Sequence, residues 1–203
     1  MKDIQIKASN RFWVFARLCR WHQPRGIALL CWPVWTVLWL HRASIILWCV
    51  FTIGAVAMRT LGCLINDWCD QDIDAKVWRT SERPLACGEA SFSMWLCGLL
   101  GSAILALVCL LLLPVICWYM ALIILPLVVV YPTAKRWCSL PQLILAAVFV
   151  MGIPMAYLAT LGEINTTCGL MMAMHYCWIF AYDTQYALAD LPDDLGLNIF
   201  SSA

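Results

Sequence analysis

Two groups of acidic residues give this sequence its most evident chemistry. In the segment NDWCDQDID, four polar side chains recur at helical intervals, and these form the first acidic group: Asn66, Asp67, Asp70 and Asp74. At about 3.6 residues per turn they project from one side of a helix, while Asp72 points away from them. Like charges at this spacing repel one another, which predicts that a cation lies between them. Carboxylates suit hard divalent cations, and Mg²⁺ typically takes one or two carboxylates together with substrate phosphate oxygens.

The second acidic group lies in FAYDTQYALADLPDD and has the same kind of spacing. Its members stand at positions i, i+3, i+7 and i+11: Asp183, Tyr186, Asp190 and Asp194. Two carboxylate faces brought together would bind a polyanion, for which a diphosphate is the expected candidate, through bridging Mg²⁺ ions. The alternative is that both groups are solvated loop acids that balance nearby basic residues.

The elements that must position these groups belong in a membrane. Of the 203 residues, 64% are hydrophobic and 12% are charged, and the mean hydropathy is +0.82. A helix needs about 20 apolar residues to cross about 30 Å of hydrocarbon. Six apolar runs meet or approach this length: 26–40, 43–65, 93–113, 115–131, 143–162 and 168–189. The sequence therefore predicts an all-α integral membrane protein, a bundle of about six transmembrane helices.

Each acidic group lies at the end of a predicted span, the second and the sixth. Ionisable residues at such positions are costly and usually functional, which favours an anion-binding site over solvated loop acids. Lysine and arginine are concentrated before the first span, after the second and after the fourth, with Arg42 as the exception. The positive-inside rule then predicts that the N-terminus and both acidic groups lie on the cytoplasmic side.

Five basic residues are candidates for contact with the bound anion: Arg59, Arg79, Arg83, Lys135 and Arg136. Arg59 lies inside the second span, seven residues before Asn66 and on the same predicted face, where it is either a counter-ion to the aspartates or a substrate contact. The other four lie in loops, where arginine binds phosphate through a fork and lysine through a point charge. Cytoplasmic loops are basic in any case, so membrane topology alone is the alternative explanation for these four.

These motifs together resemble a known family. The pattern NDxxDxxxD at residues 66–74 and the pattern DxxxD at residues 190–194 are similar to the paired signature of the UbiA superfamily of intramembrane prenyltransferases. The resemblance extends through MRTLGCLINDW, RTSERPL, VYPTAKRWCSLPQ and AYDTQYALAD, and it is strongest to the 4-hydroxybenzoate polyprenyltransferase branch. It covers the chain to about residue 194.

The resemblance implies both a fold and a reaction. The fold is all-α with a cavity open to the membrane, in the inner membrane of a bacterium or a mitochondrion. The implied reaction transfers a polyprenyl group from polyprenyl diphosphate to 4-hydroxybenzoate, depends on Mg²⁺ and belongs to ubiquinone biosynthesis. Loss of diphosphate leaves an allylic cation, which the ring attacks at the carbon ortho to its hydroxyl group.

The resemblance also implies roles for individual residues. The first metal ion would be held by Asn66, Asp67, Asp70 and Asp74, and the second by Asp190 and Asp194. The residues implied as catalytic are Asp67, Asp70, Asp190 and Asp194. Together with the basic candidates named above, the expected substrate-binding residues are Asn66, Arg59, Arg79, Arg83, Lys135, Arg136, Asp183 and Tyr186. For the carboxylate of the acceptor, the expected partner is Arg136 or Arg79.

The sequence departs from the family pattern near its end. The family has about nine spans, so residues 1–203 are expected to form a single transmembrane prenyltransferase domain without the last three helices. Where the family usually carries lysines after the second motif, this chain reads LGLNIFSSA, and Pro192 falls inside DLPDD. Two alternatives therefore stand beside an active enzyme. One is an inactive truncated paralogue, and the other is a divalent-cation transporter, for which clustered acids are also expected.

Overall fold

The computed structural model describes residues 11–75, 80–131 and 138–194, and for Ile73 and residues 189–194 it describes the backbone alone. Within these ranges the chain forms helices and no strands. In chain order they are α1 (Arg11–Leu18), α2 (Pro24–Leu40), α3 (Ile45–Cys69), α4 (Gln71–Asp74), α5 (Phe92–Leu111), α6 (Val115–Val130), α7 (Pro141–Val150), α8 (Gly152–Thr160) and α9 (Thr166–Asp194). The prediction of an all-α protein is confirmed.

The six predicted spans correspond to α2, α3, α5, α6, the pair α7 and α8, and α9. In the described part of the chain, three stretches are long and apolar enough to cross a membrane: Ile45–Cys69, Phe92–Leu111 and Pro141–Thr160. α2 and α6 are shorter apolar helices. The protein is therefore an integral membrane helical bundle.

The fifth predicted span consists of two helices rather than one. α7 ends at Val150 and α8 begins at Gly152. Pro154 has no N–H to donate to the carbonyl four residues earlier, and its ring crowds that carbonyl, so the helical ladder is interrupted here. Gly152 also makes a close approach, because a Cβ at this position would lie 2.5 Å from Cγ2 of Val34 on α2.

Gly152→Ala is expected to destabilise the protein by about 1–3 kcal/mol, because the added methyl group overpacks the contact between α2 and α8. Thermal unfolding in detergent, followed by circular dichroism, measures this loss. Gly101→Ala is the matched control, since a Cβ at Gly101 would meet nothing within 4 Å. Equal loss of stability in the two variants would contradict the close approach.

The helices pack around two apolar clusters. α3 packs along α5, α7 packs along α9, and α2 contacts α3, α7 and α8. The larger cluster joins α2, α3 and α5 to α6, α7, α8 and α9. The smaller cluster joins α1, α3, the segment before α5, and α5 itself, through Val14, Leu18, Leu64, Leu85, Ala90 and Trp95. The smaller cluster matters for function because it lies beside the acidic end of α3.

Candidate functional site

The first acidic group lies where α3 ends and α4 begins. The structure differs here from the single helix that the spacing predicted, because α3 ends at Cys69 and Asp70 is its C-cap residue with φ −102° and ψ 6°. Aspartate competes with the helix for backbone hydrogen bonds, which favours a helix end at such a residue. The N–H of Asp74 still donates to the carbonyl of Asp70 at 2.8 Å, so α4 keeps Asp74 one turn away.

Three carboxylates of this group are withdrawn from solvent. Asp67, Asp70 and Asp74 are 2%, 6% and 6% exposed. Asn66 is half-buried, and Asp72 is exposed, as its position outside the predicted face implies. Isolated buried carboxylates are unstable as ions, so their neighbours must supply positive charge.

Two arginines supply that charge. Arg20 Nη2 donates to Oδ1 of Asp67, and Arg83 Nη1 donates to the same oxygen at 3.3 Å. Arg83 Nη1 also donates to Oδ2 of Asp74. Burial raises the pKa of the Asp74 carboxyl, Arg83 opposes that shift, and the neighbouring carboxylates Asp67 and Asp70 add to it. The site is therefore a compact arrangement of carboxylates and guanidinium groups at one end of α3.

Arg20 was not among the residues that the sequence singled out. It follows α1 with φ 54°, a left-handed conformation that is uncommon for a residue other than glycine. The N–H of Trp21 closes this turn on the carbonyl of Ala16 at 3.0 Å, and the Trp21 indole donates to Oγ1 of Thr60 on α3 at 3.2 Å. The basic segment before the first span was a visible signal, but its spacing does not reveal which arginine reaches an aspartate 47 positions away.

Arg59 lies deeper along α3 and packs against α2. A Cβ at Gly26 would lie 2.6–2.8 Å from three atoms of the Arg59 side chain, so a glycine permits this approach. Among the side chains that the structure describes, Arg59 forms no salt bridge. It is thus a half-buried cation set apart from the arginines that pair with the first acidic group.

The second acidic group approaches the same region through Asp183. Tyr131, at the end of α6, interacts electrostatically with Asp183, with Arg59 and with Asp70. Asp183 is half-buried on α9, whereas Tyr186 is 49% exposed. α9 continues to Asp194. The remaining predicted residues cannot be placed in this arrangement: the side chains of Asp190 and Asp194, and the whole of Arg79, Lys135 and Arg136, lie outside what the structure describes.

The chemistry of the donors fits a hard divalent cation. Within the described residues, no three His, Cys, Asp or Glu side chains are already gathered around one point in a way that could hold a metal ion. Asp67 and Asp74 direct carboxylate oxygens at the arginines instead. Mg²⁺ needs only one or two carboxylates when substrate phosphate and water complete its shell, so the buried oxygens of this group are suitable ligands for Mg²⁺ that arrives with a diphosphate.

Comparison with known proteins identifies the family of this chain. Residues 30–203 match the UbiA prenyltransferase family. The 4-hydroxybenzoate octaprenyltransferase of Legionella pneumophila (strain Paris) is 42% identical over 192 residues, which are 93% of this chain and 68% of the relative. The protein of the same name from Neisseria meningitidis serogroup B (strain ATCC BAA-335 / MC58) is 40% identical over 201 residues, which are 98% of this chain and 68% of the relative.

The fold is also similar to a solved structure, the apo structure of a UbiA homolog from Aeropyrum pernix K1. The TM-score is 0.71 at 23% sequence identity, and the match covers 87% of this chain and 68% of that one. The resemblance seen in the sequence motifs is thereby confirmed at the level of both sequence and fold. The chain belongs to the UbiA prenyltransferase family and is a membrane-embedded prenyltransferase.

Proposed function

We propose that the protein transfers a polyprenyl group from polyprenyl diphosphate to the aromatic ring of 4-hydroxybenzoate, with Mg²⁺, as a step of ubiquinone biosynthesis. The observation that carries this proposal is the buried set of carboxylates at the end of α3, which faces two arginines. Such a set suits a diphosphate that brings a divalent cation with it. The shared name of the relatives from Legionella and Neisseria supports the choice of acceptor.

The diphosphate lies, in this proposal, at the acidic end of α3. The ligands for the first Mg²⁺ are Asn66, Asp67, Asp70 and Asp74, and those for the second are Asp190 and Asp194. When bound, Mg²⁺ would neutralise the charge that develops on the departing diphosphate. When the diphosphate binds, Arg20 and Arg83 transfer their hydrogen bonds from aspartate oxygens to phosphate oxygens. The guanidinium fork fits carboxylate and phosphate with similar geometry.

The acceptor carboxylate binds Arg59 in this proposal. Arg20 and Arg83 are already paired with aspartates, whereas Arg59 forms no salt bridge with any side chain in the described ranges. Arg79 and Arg136, which the sequence suggested for this role, lie outside those ranges. Arg59 precedes Asn66 by seven residues, or about 10 Å along the helix axis. That separation leaves room for the aromatic ring between its carboxylate and the diphosphate.

For the chemical step, the protein needs mainly to position the two substrates and to exclude water from the site. Departure of the diphosphate leaves an allylic cation, the ring carbon ortho to the hydroxyl group attacks it, and loss of the ring proton restores aromaticity. Holding the two reactants in register makes the encounter effectively unimolecular. Apolar helices around the site exclude water, which would otherwise capture the cation.

We further propose that the protein resides in an inner membrane, with its N-terminus and both acidic groups on the cytoplasmic side, or on the matrix side in a mitochondrion. The distribution of lysine and arginine between the loops supports this orientation. Residues 1–203 act in this proposal as a single prenyltransferase domain. It spans about two thirds of the length of the relatives from Legionella and Neisseria.

Transfer of a labelled polyprenyl group tests the proposed function directly. Purified protein in nanodiscs, given 4-hydroxybenzoate and polyprenyl diphosphates of several lengths, is expected to form prenylated acid with Mg²⁺. The product should disappear with EDTA and return when Mg²⁺ is restored in excess. Metal flux into liposomes without any prenylated product would instead favour the divalent-cation transporter, and the absence of both would favour an inactive paralogue.

A further inference from the structure

We propose that Arg17 is a positioning residue, which fastens the segment of residues 80–91 to α1 and thereby holds Arg83 at the acidic end of α3. The contact itself is independent of the reaction, whereas its effect on substrate binding rests on the function proposed above. Arg17 contacts neither the carboxylates of the first acidic group nor the expected position of the substrate. It acts through the backbone that carries Arg83.

Arg17 contacts the segment at two separate points. Its Nη1 donates to Oε2 of Glu89 at 2.7 Å, and its Nη2 donates to the backbone carbonyl of Glu82 at 2.6 Å. These partners are 72 and 65 positions away in sequence. A planar guanidinium presents several donors in a rigid fork, so one side chain fixes both points at once.

The contact with Glu82 is the important one for Arg83. The Glu82 carbonyl and the Arg83 N–H belong to the same rigid peptide plane, so a hydrogen bond to that carbonyl orients the start of Arg83. The Arg83 N–H donates to the carbonyl of Thr80 at 2.9 Å, and the Arg83 carbonyl accepts from the N–H of Cys87 at 3.0 Å. The backbone of Arg83 is thus held on both sides while its side chain reaches Asp67 and Asp74.

Apolar contacts support the same arrangement. Val14 and Leu18 of α1 belong to the same buried cluster as Leu85 and Ala90 of the segment. Loss of Arg17 is therefore expected to loosen the segment and not to unfold the protein. The Arg17 and Glu89 side chains are 27% and 29% exposed, and a salt bridge this exposed adds little to global stability.

A simple surface ion pair is the alternative explanation, and it predicts different behaviour. An ion pair alone would leave the mobility of the segment and the affinity for the diphosphate unchanged when it is removed. The positioning role predicts that the segment becomes more mobile and the affinity for the diphosphate falls. It also predicts that the affinity for 4-hydroxybenzoate is unchanged. The two explanations are therefore separable by measurements that do not depend on folding.

Hydrogen–deuterium exchange of the protein in nanodiscs, without substrate, tests the contact. Arg17→Ala is expected to raise amide exchange in residues 80–91 at least about threefold, because local opening follows the loss of contacts. Arg11→Ala, at an exposed position of the same helix, is the matched control and should leave that exchange unchanged. Unchanged exchange in Arg17→Ala overturns the proposal.

Steady-state kinetics of the same variants test the consequence for the site. Arg17→Ala is expected to raise KM for polyprenyl diphosphate by about five- to tenfold, the equivalent of about one ordinary hydrogen bond, with kcat and KM for 4-hydroxybenzoate within about twofold. Arg17→Lys keeps one donor and should recover part of the affinity. An unchanged KM for the diphosphate overturns the positioning role. A wild-type protein that forms no product refutes the proposed function, while the exchange data still decide the contact.

Discussion

Asp67→Asn is expected to lower the rate of prenyl transfer by about 10²–10³-fold, the usual cost of losing one preorganised electrostatic contact to the reacting groups. Asp67 is the most buried carboxylate of the first acidic group, and both Arg20 and Arg83 donate to the same oxygen. Asparagine keeps the shape and one acceptor oxygen but removes the charge that Mg²⁺ requires. Initial rates with saturating substrates measure the effect.

A second measurement separates loss of chemistry from loss of structure. Mg²⁺-dependent binding of diphosphate should be strongly weakened in Asp67→Asn, while thermal unfolding in detergent reports any destabilisation from the unpaired arginines. Asp72→Asn is the matched control, because Asp72 lies in the same segment and is exposed. It should keep both binding and rate within about twofold, as surface substitutions usually do. Equal losses in the two variants, or retained diphosphate binding in Asp67→Asn, would contradict the assigned role.

Arg59→Gln is expected to raise KM for 4-hydroxybenzoate by about 30- to 100-fold, the equivalent of a buried charge-assisted contact with a carboxylate. KM for polyprenyl diphosphate should change little, because Arg20 and Arg83 bind the diphosphate in the proposed function. Varying the two substrates independently in steady-state assays distinguishes these outcomes. If KM for the diphosphate rises instead, Arg59 binds the diphosphate and not the carboxylate of the acceptor.

Two further comparisons sharpen the test of Arg59. An acceptor without the carboxylate, such as phenol, should be used equally poorly by the wild-type protein and by Arg59→Gln. Gly26→Ala should also raise KM for 4-hydroxybenzoate, since its methyl group would displace the Arg59 guanidinium. Gly62→Ala, on the same helix as Arg59, is the control, because a Cβ there meets nothing within 4 Å.

Much of the fold was predictable because the relevant signals are local. Run length alone located the helices that correspond to the six predicted spans, three of which are long and apolar enough to cross a membrane, since crossing hydrocarbon requires continuous apolar sequence. It did not reveal the break between α7 and α8, where Pro154 interrupts hydrogen bonding inside a run that remains apolar throughout. A hydropathy average over a window does not register a single proline. The missing backbone hydrogen bond nevertheless interrupts the helix at that point.

The first acidic group was predictable from spacing for the same reason. Helical periodicity selected Asp67, Asp70 and Asp74 and set Asp72 apart, and the structure buries the first three and exposes the fourth. Periodicity did not reveal that α3 ends at Cys69 with Asp70 as its C-cap residue, because a helix end depends on which backbone groups find partners. The short helix α4 keeps the spacing nearly intact despite the break.

The sequence by itself determined the membrane class, the apolar spans, the acidic residues and the family of this protein. Only the tertiary structure decided which cations meet those acids: Arg20 on Asp67 from 47 residues away, and Arg17 on the segment that carries Arg83. It also decided that Arg59 packs against Gly26 and stands apart from the paired arginines. Hydrophobic runs and helical periods are properties of neighbouring residues. A contact between distant residues exists only because the apolar cluster of α1, α3 and α5 packs their helices together.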